Sequence, residues 1–183
     1  MGSFSEVEQL TTWNFGERTG FASAWKLDKS CDLSEVTSSL PEGVTIFSTR
    51  ISAGKKHLKG VLAQAAEGSI RGNLLARNKA IDLLMRLTAQ SQIKEAVAIS
   101  KISSTKTIGA FGFVPEDQDA NAIVKQVEGS LGSSILRRDD SLLELNAAKV
   151  AYLRKIHSIP AGFPDSLIVE FLLEKSSLLV FSK

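Results

Sequence analysis

The chain of 183 residues contains one cysteine, Cys31, two histidines, His57 and His157, one tyrosine and four prolines. A lone cysteine excludes an intrachain disulfide and suits a reducing, intracellular setting. Two histidines and one cysteine leave no CxxC, HExxH or other metal-ligand spacing. No apolar run approaches the roughly 20 residues that cross a bilayer. The opening "MGSFSEVEQLTTWNF" lacks the basic and apolar regions of a secretory signal, and Glu6 stands where N-myristoylation wants Ser or Thr. No GxSxG elbow or kinase signature is present. "SAGKKHL" holds Gly54-Lys55 but lacks the other P-loop glycine and the following hydroxyl. These absences argue against an enzyme. We expect a cytoplasmic protein with no cofactor, no metal, no membrane partner and no small-molecule substrate. The compact length and the lack of eukaryotic-looking targeting suit an archaeal source.

Charge is present but uneven. The net charge is +2. Residues 52–94 carry Lys55, Lys56, Lys59, Arg71, Arg77, Lys79, Arg86 and Lys94 against Glu67 and Asp82, which makes that segment +6 and the remainder −4. Such a segment is either a phosphate-binding face or a solvated helix surface.

The pattern of elements is mixed. "GFASAWK" (20–26) alternates weakly and reads as a strand, and "VTIFSTRI" (44–51) as a better one, rich in β-branched residues. A short helix is expected over 30–40, ending before the turn at Pro41-Glu42-Gly43. Ser52 can cap a helix that buries Leu58, Val61, Leu62 and Ala65, with Gly68 as its C-cap. A longer helix is expected over 73–88. Its buried stripe is Ala80, Leu83, Leu84 and Leu87, with Lys79, Asp82 and Arg86 on another face, Asp82 and Arg86 at pairing distance. After "TAQSQ", a helix starts near Ser91 and buries Ile93, Ala96 and Val97. "KTIGAFGFVP" (106–115) reads as a strand that Gly109 and Gly112 weaken or bulge. Acids 116–119 open a further helix. "GSLGSS" is a loop, two helices follow around Leu153 and after Pro164-Asp165, and "SSLLVFSK" is a closing strand. The sum is an α+β single domain over 20–183, a mixed or antiparallel sheet packed against several helices, behind a flexible lead at 1–19.

Individual chemistry-bearing residues have ordinary alternatives. The strand-to-helix junction at Gly54 can offer free N–H groups to a phosphate or be a plain helix entry. His57 sits at the edge of an apolar face and reads as a core or boundary residue more readily than a base. His157 ends a helix, where it can meet the last carbonyls. Cys31 has no partner base and reads as structural.

Four stretches together resemble one family. "TRISAGKKHLKGVLAQA", "AIDLLMRLTAQSQIKEAVAISKI", "KTIGAFGF" and the ending "SLIVEFLLEKSSLLVFSK" are similar, in order and spacing, to the smallest accessory subunit of the KEOPS (EKC) complex, the protein-kinase-binding family. The match spans about 20–183. Where the family has acid, Ser, Gly and Arg, here stand Asp82, Thr88, Ala89 and Ser91, so the last three depart, while Gln92 and Ile93 are kept. The resemblance implies a subunit without catalytic activity. It holds tRNA by the single-stranded 3′ CCA end and docks on the small atypical kinase of the complex, supporting threonylcarbamoyladenosine formation in tRNA.

On that implication, the cations Lys55, Lys56, Lys59, Arg71, Arg77 and Lys79 can track the RNA backbone, and His57 and Asn73 can meet its bases. Asp82, Met85, Arg86, Ala89 and Gln90, at the polar joint, can present an adaptable edge to the kinase. Met85 equally fits a core position. The alternative is a protein-interaction scaffold without RNA binding. A small enzyme using His57 lacks a partner acid and metal, and no RRM, KH or helix-turn-helix signature marks a generic nucleic-acid module.

Overall fold

Strand β2 (Arg18–Leu27) organises the molecule, which a computed structural model describes over residues 10–29, 36–37, 39–100 and 105–181. One side of β2 pairs along its length with β4 (Thr107–Phe113), from Gly20↔Phe113 to Lys26↔Thr107. Its other side is shared. β1 (Thr11–Phe15) takes the first half, Thr11↔Ala22 to Phe15↔Arg18, and β5 (Ile135–Arg138) takes the last residues. β3 (Val44–Ser48) completes the sheet beside β4. Among the described residues all pairings are antiparallel, which settles the choice between a mixed and an antiparallel sheet; with the six α-helices described there, the fold is α+β and single-domain.

The sheet is covered on both faces, and this explains the weak alternation of β2. Phe21 and Trp25 point to one layer with Val44, Ile46, Ile108 and Ala110, beneath the helix Ala120–Leu131. Ala22 and Ala24 point to the other layer with Phe47 and Phe111. That layer is closed by α1 (Lys55–Arg71) and α2 (Lys79–Thr88), which bury Leu58, Val61, Leu62, Leu83, Leu84 and Leu87. With neither face wet, both sets of side chains are small or apolar and the polar beat disappears. α3 (Ile93–Ser100) follows α2, and α4 is the helix Ala120–Leu131. α5 (Ala147–His157) and α6 (Ile168–Ser177) form a satellite core through Leu153, Ile168 and Leu172.

Several boundaries differ from the sequence reading. β1 falls in the segment expected to be a flexible lead: Trp13 and Phe15 pack against the α1 layer, and Gly16 at φ 63° makes the turn into β2. The strand expected over 44–51 stops at Ser48 and turns into a 3-10 helix, Thr49–Ile51. Ser52 does not cap α1. Gly54 occupies that place at φ 102°, and Ser52 instead accepts from the Gly54 N–H and donates to the Leu143 carbonyl. α1 runs past Gly68 and ends at Gly72, which is left-handed. Gly109 and Gly112 do not bulge β4. A Cβ on Gly109 would lie 2.5 Å from the Phe47 ring and one on Gly112 2.2 Å from the Gly43 carbonyl, so both permit close approach. "SSLLVF" closes α6 and a 3-10 turn, not a strand. The helix expected over 30–40 lies outside the described residues except at 36–37, which are helical, and 39–40, which are not; Cys31 also lies outside them.

Candidate nucleic-acid interface

α1 has 17 residues and is therefore about 24 Å long. Its length splits the predicted basic surface into two groups.

The first group lies at the N-terminal end. Lys55 approaches Glu144 at 3.8 Å, Lys56 pairs with Glu170, and Lys59 is exposed. The Glu144 carboxylate also stands 3.6 Å from where a Cβ of Gly54 would be. An anion of the protein itself thus sits beside the helix N-terminus that the sequence offered to a phosphate. His57 is fully buried. Its Nδ1 accepts from the Ala53 N–H at 3.3 Å, and its Nε2 has no partner. Burial, aided by His157, pushes its pKa down to about 3. His157 is pushed down to about 4 by burial and by Lys175, whose Nζ lies 3.4 Å from its Nδ1. His57 is therefore a core residue. It cannot meet an RNA base, which corrects the sequence reading.

The second group lies at the other end. Arg71, paired with Glu67, closes α1, and residues 73–78 cross to α2 without helical structure. The expected helix over 73–88 starts only at Lys79, because Asn78 caps it by accepting from the Ile81 N–H at 3.0 Å. Asn73 and Arg77 are exposed on this crossing, and Lys79 lies 3.2 Å from Glu42.

Asp82 and Arg86 pair as their spacing predicts, at 2.8 Å, but each side chain is only 2% exposed. The pair faces inward because both ends of the crossing need partners. Asp82 Oδ1 accepts from the Leu75 N–H at 2.6 Å, and Arg86 donates to the Asn73 carbonyl at 3.1 Å. Gly68 makes the space: a Cβ there would lie 2.8 Å from Arg86 Nη2. Met85 and Ala89 are also buried. Asp82, Met85, Arg86 and Ala89 therefore form no exposed edge for a partner, which corrects the sequence reading. Ala89 instead ends α2 in the left-handed region at φ 48°, and Gln90 is half-buried. Exposure moves one element on. Ile93 and Val97, expected in the core, are 50% and 40% exposed on α3, and only Ala96 of the three is buried.

The sequence reading missed Arg18 and Phe113. Arg18 opens β2, donates to Ser69 Oγ at 3.2 Å and lies 5.8 Å from the centre of the Phe113 ring. Phe113 in turn meets Phe15 edge-on. Arg18, Ser69, Leu74, Lys79, Asp82 and Phe113 line a recess where β2, β4, α1 and α2 converge. The β1–β2 hairpin brings Arg18 there. The signal for it was the polar–aromatic alternation of "TTWNF" followed by Gly16.

Among the described residues no three His, Cys, Asp or Glu side chains come together as a metal site, and no helix is long and apolar enough to cross a membrane. In comparison with known proteins, no family model matches the chain, and no curated protein matches it.

Proposed function

We propose that this chain is a non-catalytic, tRNA-holding subunit of the KEOPS complex that docks on the complex's small atypical kinase and so supports threonylcarbamoyladenosine formation. The reading rests on the order of the four sequence stretches. The observation that carries it at the surface is that Arg18 and Lys79 line one recess beside α1, whose C-terminal end and the crossing after it expose Arg71, Asn73 and Arg77. Several cations spaced over one surface suit a polyanion, whose affinity grows with each phosphate neutralised. The two histidines are poor bases at neutral pH because burial holds both uncharged. Kinase docking falls to α3, where Ile93 and Val97 lie one turn apart on the exposed side.

Binding of full-length tRNA, and of tRNA trimmed of its CCA end, at two salt concentrations tests the reading. Tight, salt-sensitive binding that collapses on trimming supports it. Equal binding of both forms reduces it to general electrostatics. A protein-interaction scaffold without RNA binding is the second reading. The pairing of Lys55 with Glu144 and of Lys56 with Glu170 favours it, since each carboxylate offsets a cation of the basic segment. Absence of tRNA binding beside intact kinase binding would select it.

A further inference from the structure

We infer that the recess between Arg18 and Lys79 seats one phosphodiester of single-stranded RNA, and that the buried Asp82–Arg86 pair is the strut that fixes its rim. The inference rests on the RNA-binding reading above and names the site and its positioning residues.

The recess has an open volume of about 20 Å³. That is room for roughly one water molecule. It admits one oxygen of an anion at its mouth and excludes a nucleobase. Its two cations are available. Arg18 is exposed, and its guanidinium donates to a neutral hydroxyl, Ser69 Oγ. A guanidinium so placed exchanges that bond for a stronger charge-assisted one. Lys79 faces Glu42, but their side chains are 53% and 73% exposed, so the pair is solvent-screened and easily replaced. Phe113 supports the Arg18 guanidinium from below.

One carboxylate, Asp82, also lines the recess and would repel a phosphate if bare. It is not bare. Arg86 Nε at 2.8 Å and the Leu75 N–H at 2.6 Å take up its two oxygens. The same two side chains hold residues 73 and 75 by their backbones. This sets Leu74, which lies between them in the chain, at the recess wall. A rim fixed before binding loses little entropy on binding. Asp82 and Arg86 are thus positioning residues that never touch the ligand.

The test uses the full chain and a full-length tRNA transcript, with affinity measured across a salt series. Arg18→Ala and Lys79→Ala are each expected to weaken binding roughly 3- to 10-fold and to lower the log–log salt slope by about 0.7, one single-strand phosphate contact. Lys125→Ala, an exposed cation on α4 across the sheet, should change neither. Asp82→Asn should weaken binding with the slope nearly unchanged, and the Leu75 amide should exchange faster with solvent. If wild type binds but the Arg18 and Lys79 variants match it in affinity and slope, or Lys125→Ala costs as much, the seat is wrong. Unchanged exchange at Leu75 in Asp82→Asn overturns the strut. If wild type binds no tRNA, the functional reading itself fails, and the seat with it.

Discussion

At the scale of single residues, the Asp82–Arg86 pair gives the sharpest stability prediction. Asp82→Ala leaves a guanidinium buried without its carboxylate and is expected to cost about 3–5 kcal/mol. Replacing both members with Leu and Met should cost much less than that, because no charge remains to be desolvated. Chemical denaturation midpoints of the two variants decide the matter. A double variant no more stable than the single one would mean that the tethers to residues 73 and 75, not charge, dominate. Gly112→Ala is a second case. Its Cβ would meet backbone, the Gly43 carbonyl and Val44 Cα, which cannot swing aside as a side chain can. A loss of at least about 3 kcal/mol, or failure to accumulate as folded protein, is expected by analogy with severe overpacking. The i, i+4 spacing of Asp82 and Arg86 was legible in the sequence. Their burial was not, because it depends on a non-helical crossing whose backbone groups seek partners seven and thirteen residues away. The same limit applies to His57, whose edge position on the helix fitted both core and surface.

At the scale of elements, the seam between α1, α5 and α6 carries a pH dependence. His57 and His157 are held neutral in the fold, with pKa values of about 3 and about 4 against an ordinary 6.5. The unfolded chain therefore takes up protons that the folded chain refuses between those values. Stability from this source is complete above about pH 6.5 and falls as pH drops toward 4, by at most about 1.4 kcal/mol per pH unit per histidine. Denaturation midpoints at pH 7.5, 6 and 5 should fall in that order, and His157→Gln should flatten the trend. A flat profile in the wild type would show that the seam opens or hydrates without cost. Elements with strong periodicity were readable: the apolar face of α1 and the core stripe of α2. The acids expected to open α4 lie before its first turn, and only Asp119 serves it, as a cap that accepts from the Ala122 N–H at 2.8 Å. Short elements were not readable. β5 has four residues, two of them arginine, and pairs only because β2 offers it an open edge. "SSLLVF" is too short for its apolar run to tell strand from helix, and packing decides it.

At the scale of the whole molecule, the basic segment is not one surface. Lys55 and Lys56 lie about 24 Å along α1 from Arg71 and already face carboxylates from the α5–α6 region. Lys56→Ala should accordingly weaken tRNA binding less than Arg18→Ala does, a comparison made by titration at one low salt concentration. The reverse order would place the RNA at the N-terminal end of α1. Ile93→Asp on α3 is expected to leave the fold and RNA affinity intact and to abolish capture of the kinase partner, if α3 is the docking element. The α+β class was legible because strand-like and helix-like periods mix irregularly along the chain. That pattern could not reveal that β2 serves two partners on one side. That sharing has a consequence for how the chain is made. The last strand of the sheet, β5, pairs Arg138 with Trp25, 113 residues apart in sequence. At roughly 5–20 residues per second, a ribosome needs about 6–23 s to pass from one to the other. Through that interval half of one edge of β2 stands open, and a nascent chain in that state is the form a chaperone would meet.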